Sequence, residues 1–160
     1  MKKMKNLNRK AAIALRITST CLLLGLAVIS VILFKNDIMN GFADENGFIL
    51  LSPEIPARYI AISVLFTVIF LAVLALGAVF KDLILLSVSS LFSLIAIASV
   101  VMLGLFSSGA VQGTVAMWIS FILISPFYGT LWLLGLFAIV LYAAAAIFSV
   151  INLIISLKKK

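Results

Sequence analysis

Few residues of this chain are of a type that does chemistry, and they are widely spaced. The sequence has no histidine and a single cysteine, Cys21, so the commonest general base and a disulfide within the chain are both excluded. Cys21 lies in an apolar run, which predicts a small buried hydrophobic residue rather than a reactive thiol. Asp44 and Glu45 are adjacent carboxylates beside Asn46, but the alternating acidic pattern of a calcium loop is missing. We therefore expect a solvated turn there and no metal site.

The long apolar stretches contain many serines and threonines, but no side chain that could activate them. No Asp, Glu or His falls inside these stretches, so the groups that form proton relays and nucleophile–base pairs are missing. Neither a Cys-x-x-Cys motif nor a phosphate-binding glycine loop occurs. These absences predict a protein that is not an enzyme and needs no cofactor.

The composition indicates which elements must carry any site. Of the 160 residues, 65% are hydrophobic and 11% are charged, whereas soluble domains have about 45–50% and about 25%. The mean hydropathy is +1.34. A chain this short cannot bury such an excess in a core. We expect an all-α, polytopic helical membrane protein whose main partner is the lipid bilayer, and we exclude a soluble monomer, a disordered chain and a nucleic-acid-binding protein.

Four apolar runs are long enough to cross a bilayer as helices, which takes about 20 residues each. They predict a single domain over residues 1–160, a four-transmembrane-helix bundle with spans at about 11–34, 59–80, 83–106 and 130–157. Residues 35–58, between the first two spans, form the outer loop. Arg16 is the only charge in the first run, and we expect its side chain to extend back to the headgroups.

The charges predict which side of the membrane each end occupies. Six Lys and Arg residues precede or open the first span, and three lysines follow the last, whereas four of the five acidic residues fall in the outer loop. The positive-inside bias then places both termini in the cytoplasm and requires an even number of spans. A bacterial plasma membrane suits this composition. The Lys81–Asp82 turn also lies inside, where each charge complements a helix dipole.

The segment between the third and fourth spans has more than one interpretation. Residues 115–125 are apolar, but at about 1.5 Å per residue they reach only half of the bilayer. Pro126 and Gly129 predict a break directly after them, and Trp118 is typical of a membrane interface. We predict a short interfacial helix here. The alternatives are a re-entrant segment, which requires that protein cover its backbone, and a fifth span.

Small and polar residues recur along the last span at alternating spacings of three and four. They predict a helix-packing seam, because close approach of small residues holds membrane helices together. Its residues are Gly135, Ala138, Tyr142, Ala145, Ser149, Asn152 and Ser156. The main interpretation is packing within the bundle, and the alternatives are contact with another subunit or the lining of a pathway. We expect the Asn152 amide to form an interhelical hydrogen bond.

The remaining candidates lie outside the membrane. Asp44, Glu45 and Phe48 of the outer loop, together with Trp118, form a possible outer recognition surface. We expect a non-catalytic integral membrane protein that acts through helix–helix or outer-loop binding to another membrane subunit or to itself, as an accessory subunit, a regulator or an immunity-type protein. The alternative is an oligomeric pore or permeation protein, such as a phage-type membrane-lesion protein, which would need a wetted polar stripe.

Overall fold

The computed structural model describes residues 9–39, 55–107 and 114–158, and these are almost entirely helical. The helices are α1 (Arg9–Leu33), α2 (Ala57–Phe80), α3 (Leu83–Ser107), α4 (Thr114–Leu134) and α5 (Leu136–Lys158). A π-helical turn, Phe34–Met39, continues α1 at its C-terminal end.

The predicted all-helical class is confirmed. Among the described residues, α1, α2, α3 and α5 are long and apolar enough to cross a membrane, and α4 adds a shorter apolar helix between the third and fourth of them. Large aliphatic side chains are exposed along all of these helices, as lipid-facing positions require. Helices of this length and hydropathy, with apolar outer surfaces, are those of a membrane protein.

A connection of two residues joins α2 to α3. Lys81 has a left-handed backbone (φ 52°), which ends α2, and Asp82 begins the next helix. The Asp82 Oδ1 accepts hydrogen bonds from the backbone N–H groups of Ile84 (3.0 Å) and Leu85 (3.3 Å). Asp82 is therefore the N-cap of α3, and its charge lies at the positive end of the helix dipole. The two helices leave this turn as antiparallel neighbours.

The predicted break at Pro126 and Gly129 is wrong. Helix α4 continues through Pro126 to Leu134, and the chain breaks instead at Gly135, which has a φ of +53°. A positive φ is accessible to glycine at no steric cost, and the Gly135 N–H donates to the Leu131 carbonyl (2.8 Å) to end the helix. The fourth long helix therefore begins at Leu136, six residues later than the predicted start at 130.

The C-terminal half of α4 lies inside the bundle. Every residue of 124–131 is buried, and α4 contacts all four other helices. Its Thr130 hydroxyl is 3.0 Å from that of Thr67, near the middle of α2, so α4 ends at about half the height of the bundle. Protein therefore covers this half of the helix, as the re-entrant alternative requires. The interfacial location of 115–125 stays a prediction, since most of those side chains lie outside the described ones.

The core is built from aromatic rings that join four helices. Phe66 of α2 packs edge-on against Phe92 of α3 (5.5 Å between centroids) and Phe127 of α4 (5.3 Å). Phe127 in turn contacts Tyr142 of α5 at 5.2 Å. All four rings are buried, and edge-to-face pairs of this kind add about 0.5–1.5 kcal/mol each to the burial of their area.

Helices α2 and α4 approach each other closely at Gly129. A Cβ on this residue would lie 2.8 Å from the Ser63 Cβ and 3.1 Å from the Ile60 Cα. We predict that Gly129→Ala lowers the free energy of unfolding by about 1–3 kcal/mol, because the added methyl must push the two helices apart.

Gly25 of α1 provides the matched control, because a Cβ added to it would have no other atom within 4 Å. Gly25→Ala should be neutral or slightly stabilising, since alanine is the better helix former. Unfolding of both variants in detergent by titration with SDS measures the difference. Equal stabilities of the two variants would contradict the close packing at Gly129.

Candidate functional site

The polar groups of the bundle are concentrated around Pro126 of α4. Proline has no N–H, so in a regular helix it would leave the Ile122 carbonyl without its donor. Here the Ser125 hydroxyl donates to that carbonyl (3.1 Å). One residue on, the Ser99 hydroxyl of α3 lies 2.8 Å from the Leu123 carbonyl and 2.7 Å from a carbonyl of its own helix, so its single proton is shared between the two. The Ser125 side chain thus supplies the donor that the proline removes.

One turn further along, a side chain from α2 enters the backbone hydrogen bonding of α4. The Ser63 hydroxyl donates to the Pro126 carbonyl (2.9 Å) and accepts from the Thr130 N–H (3.0 Å). In a regular α-helix these two backbone groups would bond to each other. We call Pro126–Thr130 the opened turn, because the Ser63 oxygen bridges it. The Tyr59 hydroxyl also donates to the Ser125 carbonyl, so α2 holds both sides of this turn.

Four hydroxyl groups, of Ser63, Thr67, Thr130 and Tyr142, form the hydroxyl cluster that joins α2, α4 and α5. The Thr67 oxygen lies 3.0 Å from the Ser63 carbonyl, 3.0 Å from the Thr130 hydroxyl and 2.8 Å from the Tyr142 hydroxyl. Each hydroxyl has one proton to donate. The three contacts are all satisfied when Thr67 donates to the carbonyl and accepts from the other two hydroxyls.

The hydroxyl cluster attaches three helices to one another. The Ser63 and Thr67 hydroxyls each reach a backbone carbonyl. The hydroxyls of Thr130 and Tyr142 both lie within hydrogen-bond distance of the Thr67 hydroxyl. Each such bond between membrane helices is worth about 0.5–2 kcal/mol.

A salt bridge joins α1 to the turn between α2 and α3. The Arg16 Nε lies 2.8 Å from the Asp82 Oδ2, and the aspartate side chain is 1% exposed while the arginine is 35% exposed. The sequence predicts that the Arg16 side chain reaches the headgroups and that Asp82 complements the helix dipole. The capping role of Asp82 is present, but its second oxygen binds Arg16, a partner that sequence analysis missed. The sequence does carry a signal for this pair, because Arg16 and Asp82 are a cation and a carboxylate that each lie beside an apolar run.

At the other end of the bundle, three rings form the aromatic cluster: Phe34, Tyr59 and Tyr128. Phe34 lies 5.8 Å from Tyr59 and 5.5 Å from Tyr128 between ring centroids, and the two tyrosines are 6.4 Å apart. All three are buried. Phe34 follows α1 and Tyr59 opens α2, so the cluster ties together the two helix ends that flank the outer loop.

The seam residues of the last span have different environments. Buried positions are Ala138, Tyr142, Ala145, Ser149 and Ser156. Gly135 is exposed at the break before α5, with nothing within 4 Å of a Cβ placed on it, so its role is the turn and not packing. The expected interhelical bond of Asn152 is wrong, because its amide donates to the Phe148 carbonyl of the same helix (2.8 Å).

The other sequence candidates are only partly described. Asp44, Glu45 and Phe48 lie outside the described residues, and Trp118 lies in α4 with its side chain outside them. Cys21 is exposed on α1, which corrects the expectation of a buried residue; its neighbours along the helix face outward with it. Within residues 9–39, 55–107 and 114–158, no three His, Cys, Asp or Glu side chains lie close enough to hold a metal ion.

The bridging role of Ser63 predicts a larger cost than the loss of an ordinary serine. Ser63→Ala leaves the Pro126 carbonyl and the Thr130 N–H of the opened turn without their shared partner, so we expect the free energy of unfolding to fall by about 1–3 kcal/mol. Ser93→Ala is the matched control, because Ser93 is equally buried but bonds only to the Ser89 carbonyl of its own helix (2.8 Å). Equal effects in SDS unfolding would refute the bridge.

The salt bridge predicts a rescue. Arg16→Met leaves the Asp82 carboxylate buried without its cation, and we expect a loss of about 1–3 kcal/mol, between the values for exposed and buried pairs. Asp82→Asn keeps a capping side chain while removing the charge. The double variant should therefore be more stable than Arg16→Met alone. A double-mutant cycle measures this coupling, and additive effects would mean that the pair contributes nothing.

Comparisons with protein-family models, with curated protein sequences and with solved structures found no match for this chain. Its function must therefore be argued from its own residues. The features available for that argument are the opened turn with its hydroxyl cluster, the Arg16–Asp82 salt bridge, and the aromatic cluster at the helix ends that flank the loop.

Proposed function

We propose that this chain is a non-catalytic protein of the plasma membrane, with both termini in the cytoplasm, that binds another protein through the middle of its outer loop. The observation that carries the proposal is the aromatic cluster. It fixes the last turn before the loop, at Phe34, to the first turn after it, at Tyr59, and attaches both to Tyr128 in the buried part of α4. A loop held at both ends loses less conformational entropy when it binds.

The use of polar groups within the bundle supports binding over catalysis. Within the described chain, buried hydroxyls and the one ion pair are taken up by internal contacts, with the Ser90 hydroxyl as the exception. The small residues of the α5 seam are buried as well, so the close-packing face of that helix is used inside the bundle. Recognition then falls to the outer loop.

The composition of the loop suggests the chemistry of the partner. Asp44 and Glu45 lie next to an apolar run that begins at Phe48, and the loop holds four of the five acidic residues of the chain. Such a sequence suits a partner that presents basic side chains beside apolar ones, since complementary charge speeds encounter and selects the partner. An accessory subunit, a regulator or an immunity-type protein would each work in this way.

The pore alternative receives less support. A conducting path needs polar groups that water can reach, whereas the four residues of the hydroxyl cluster are all buried. A pore would therefore have to form between several copies of the chain. If such a pore forms, cells that overexpress the protein should leak ions.

The decisive experiment is capture of the partner by the tagged protein in mild detergent, followed by mass spectrometry. We expect Asp44→Lys/Glu45→Lys to lose a partner that the wild type retains in fixed stoichiometry, since the charge of the binding segment is reversed. The matched control is Lys159→Glu/Lys160→Glu, which reverses two charges at the opposite end of the chain. It should leave capture unchanged.

Two results would contradict the proposal. One is capture that the loop variant leaves intact, and the other is a pure homo-oligomer that makes cells leak ions. The orientation is checked separately in a Cys21→Ala background, where a membrane-impermeant maleimide should label Asn46→Cys in intact cells and should not label Lys159→Cys.

A further inference from the structure

A groove on the bundle surface lies beside the Arg16–Asp82 salt bridge. It has a volume of about 440 Å³ and runs between α1 and the start of α3. Its lining residues are Ile13, Arg16, Ile17, Thr20, Cys21 and Ile84. The walls are apolar apart from one cation and one hydroxyl, and along α1 they extend over about 12 Å from Ile13 to Cys21.

Arg16 can bind a second anion besides Asp82. The salt bridge uses its Nε, whereas a guanidinium has five N–H donors in all. The side chain is 35% exposed and lines the groove, while the Asp82 carboxylate is almost fully covered. Both Asp82 oxygens are already engaged, one by Arg16 and the other by the N-terminus of α3. The guanidinium is thus the charge that the groove presents to the lipid.

We propose that this groove binds an anionic phospholipid, with the phosphate on the outer N–H groups of Arg16 and one acyl chain along the apolar wall. An arginine fork matches the oxygens of a phosphate, and a charge-assisted bond of this kind is stronger than a neutral one. Arg16 stands near the N-terminal end of α1, which follows a basic segment of the sequence that attracts anionic lipid. Cys21 lies further into the span, where the chain would run.

The proposal does not rest on the function assigned to the outer loop, because the groove lies at the opposite end of α1 from Phe34. It concerns lipid selectivity, and an annular lipid held by apolar contact alone would show none. Binding at Arg16 depends on the charge of the lipid headgroup, whereas annular contact does not. A position elsewhere on α1 provides the control for the acyl-chain contact.

The test is native mass spectrometry of delipidated full-length protein titrated with phosphatidylglycerol or phosphatidylcholine of identical chains. We expect at least one phosphatidylglycerol to bind about tenfold more tightly than phosphatidylcholine, the difference that one charge-assisted hydrogen bond supplies. Inorganic phosphate at the same concentration should not displace it, because it lacks the chain. Equal binding of the two lipids, or displacement by phosphate, would overturn the proposal.

Two variants localise the site. Ile17→Trp fills the groove, whereas Val28→Trp adds the same side chain to α1 outside it, at a position of matched exposure (59% and 58%). We expect the first to lower phosphatidylglycerol affinity about tenfold, to the phosphatidylcholine level, and the second to leave it unchanged. Equal effects would overturn the assignment. If Ile17→Trp does not fold, Ile13→Trp fills the same groove and must give the same loss.

Discussion

In lipid, each backbone N–H and C=O must find its partner inside the protein, and Pro126 makes this difficult for α4. The helix itself supplies the missing donor through the Ser125 hydroxyl. From α2, the Ser63 hydroxyl bridges the Pro126 carbonyl and the Thr130 N–H, and a tyrosine hydroxyl donates to the carbonyl before them. Because α2 supplies these groups, the register between α2 and α4 is determined by hydrogen bonds and not by apolar contact alone. Gly129 allows the approach that those bonds require.

The position of the hydroxyl cluster follows from the same constraint. Once Ser63 is committed to the opened turn, Thr67, one turn away on α2, meets Thr130 and Tyr142. The break at Gly135 is what allows α4 and α5 to present those two residues to one point on α2. A straight helix through Gly135 would carry Tyr142 away from Thr130, since residues twelve apart lie about 18 Å apart along an α-helix. The break at Gly135 and the hydroxyl cluster therefore depend on each other.

Sequence patterns predicted the long helices well, because hydropathy over some 20 residues reports directly on what the bilayer requires. They failed where a polar side chain decides the hydrogen bonding. Pro126 and Gly129 predicted a break because their local preferences favour one, whereas Ser125 supplies the missing donor within α4 and Ser63 of α2 bridges the next turn. Arg16 and Asp82 are 66 residues apart, so each had a sufficient local explanation. Asn152 was assigned to another helix although its own backbone was within reach. Local sequence patterns therefore predict the helices of this chain reliably, and they fail where a polar side chain has several hydrogen-bonding partners within reach.

The distribution of these contacts bears on where the protein can act. The middle of the bundle holds the opened turn and the hydroxyl cluster, and both are committed to holding α4 in place. One end of the bundle carries the aromatic cluster, at the helix ends that flank the acidic segment of the sequence. The other end carries a salt bridge whose arginine is partly exposed. Two helices connect these ends: α1 runs from the groove to Phe34, and α2 runs from Tyr59 to the turn before Asp82. The proposed lipid at Arg16 can therefore influence the proposed recognition loop along both helices, while the two binding events use different residues.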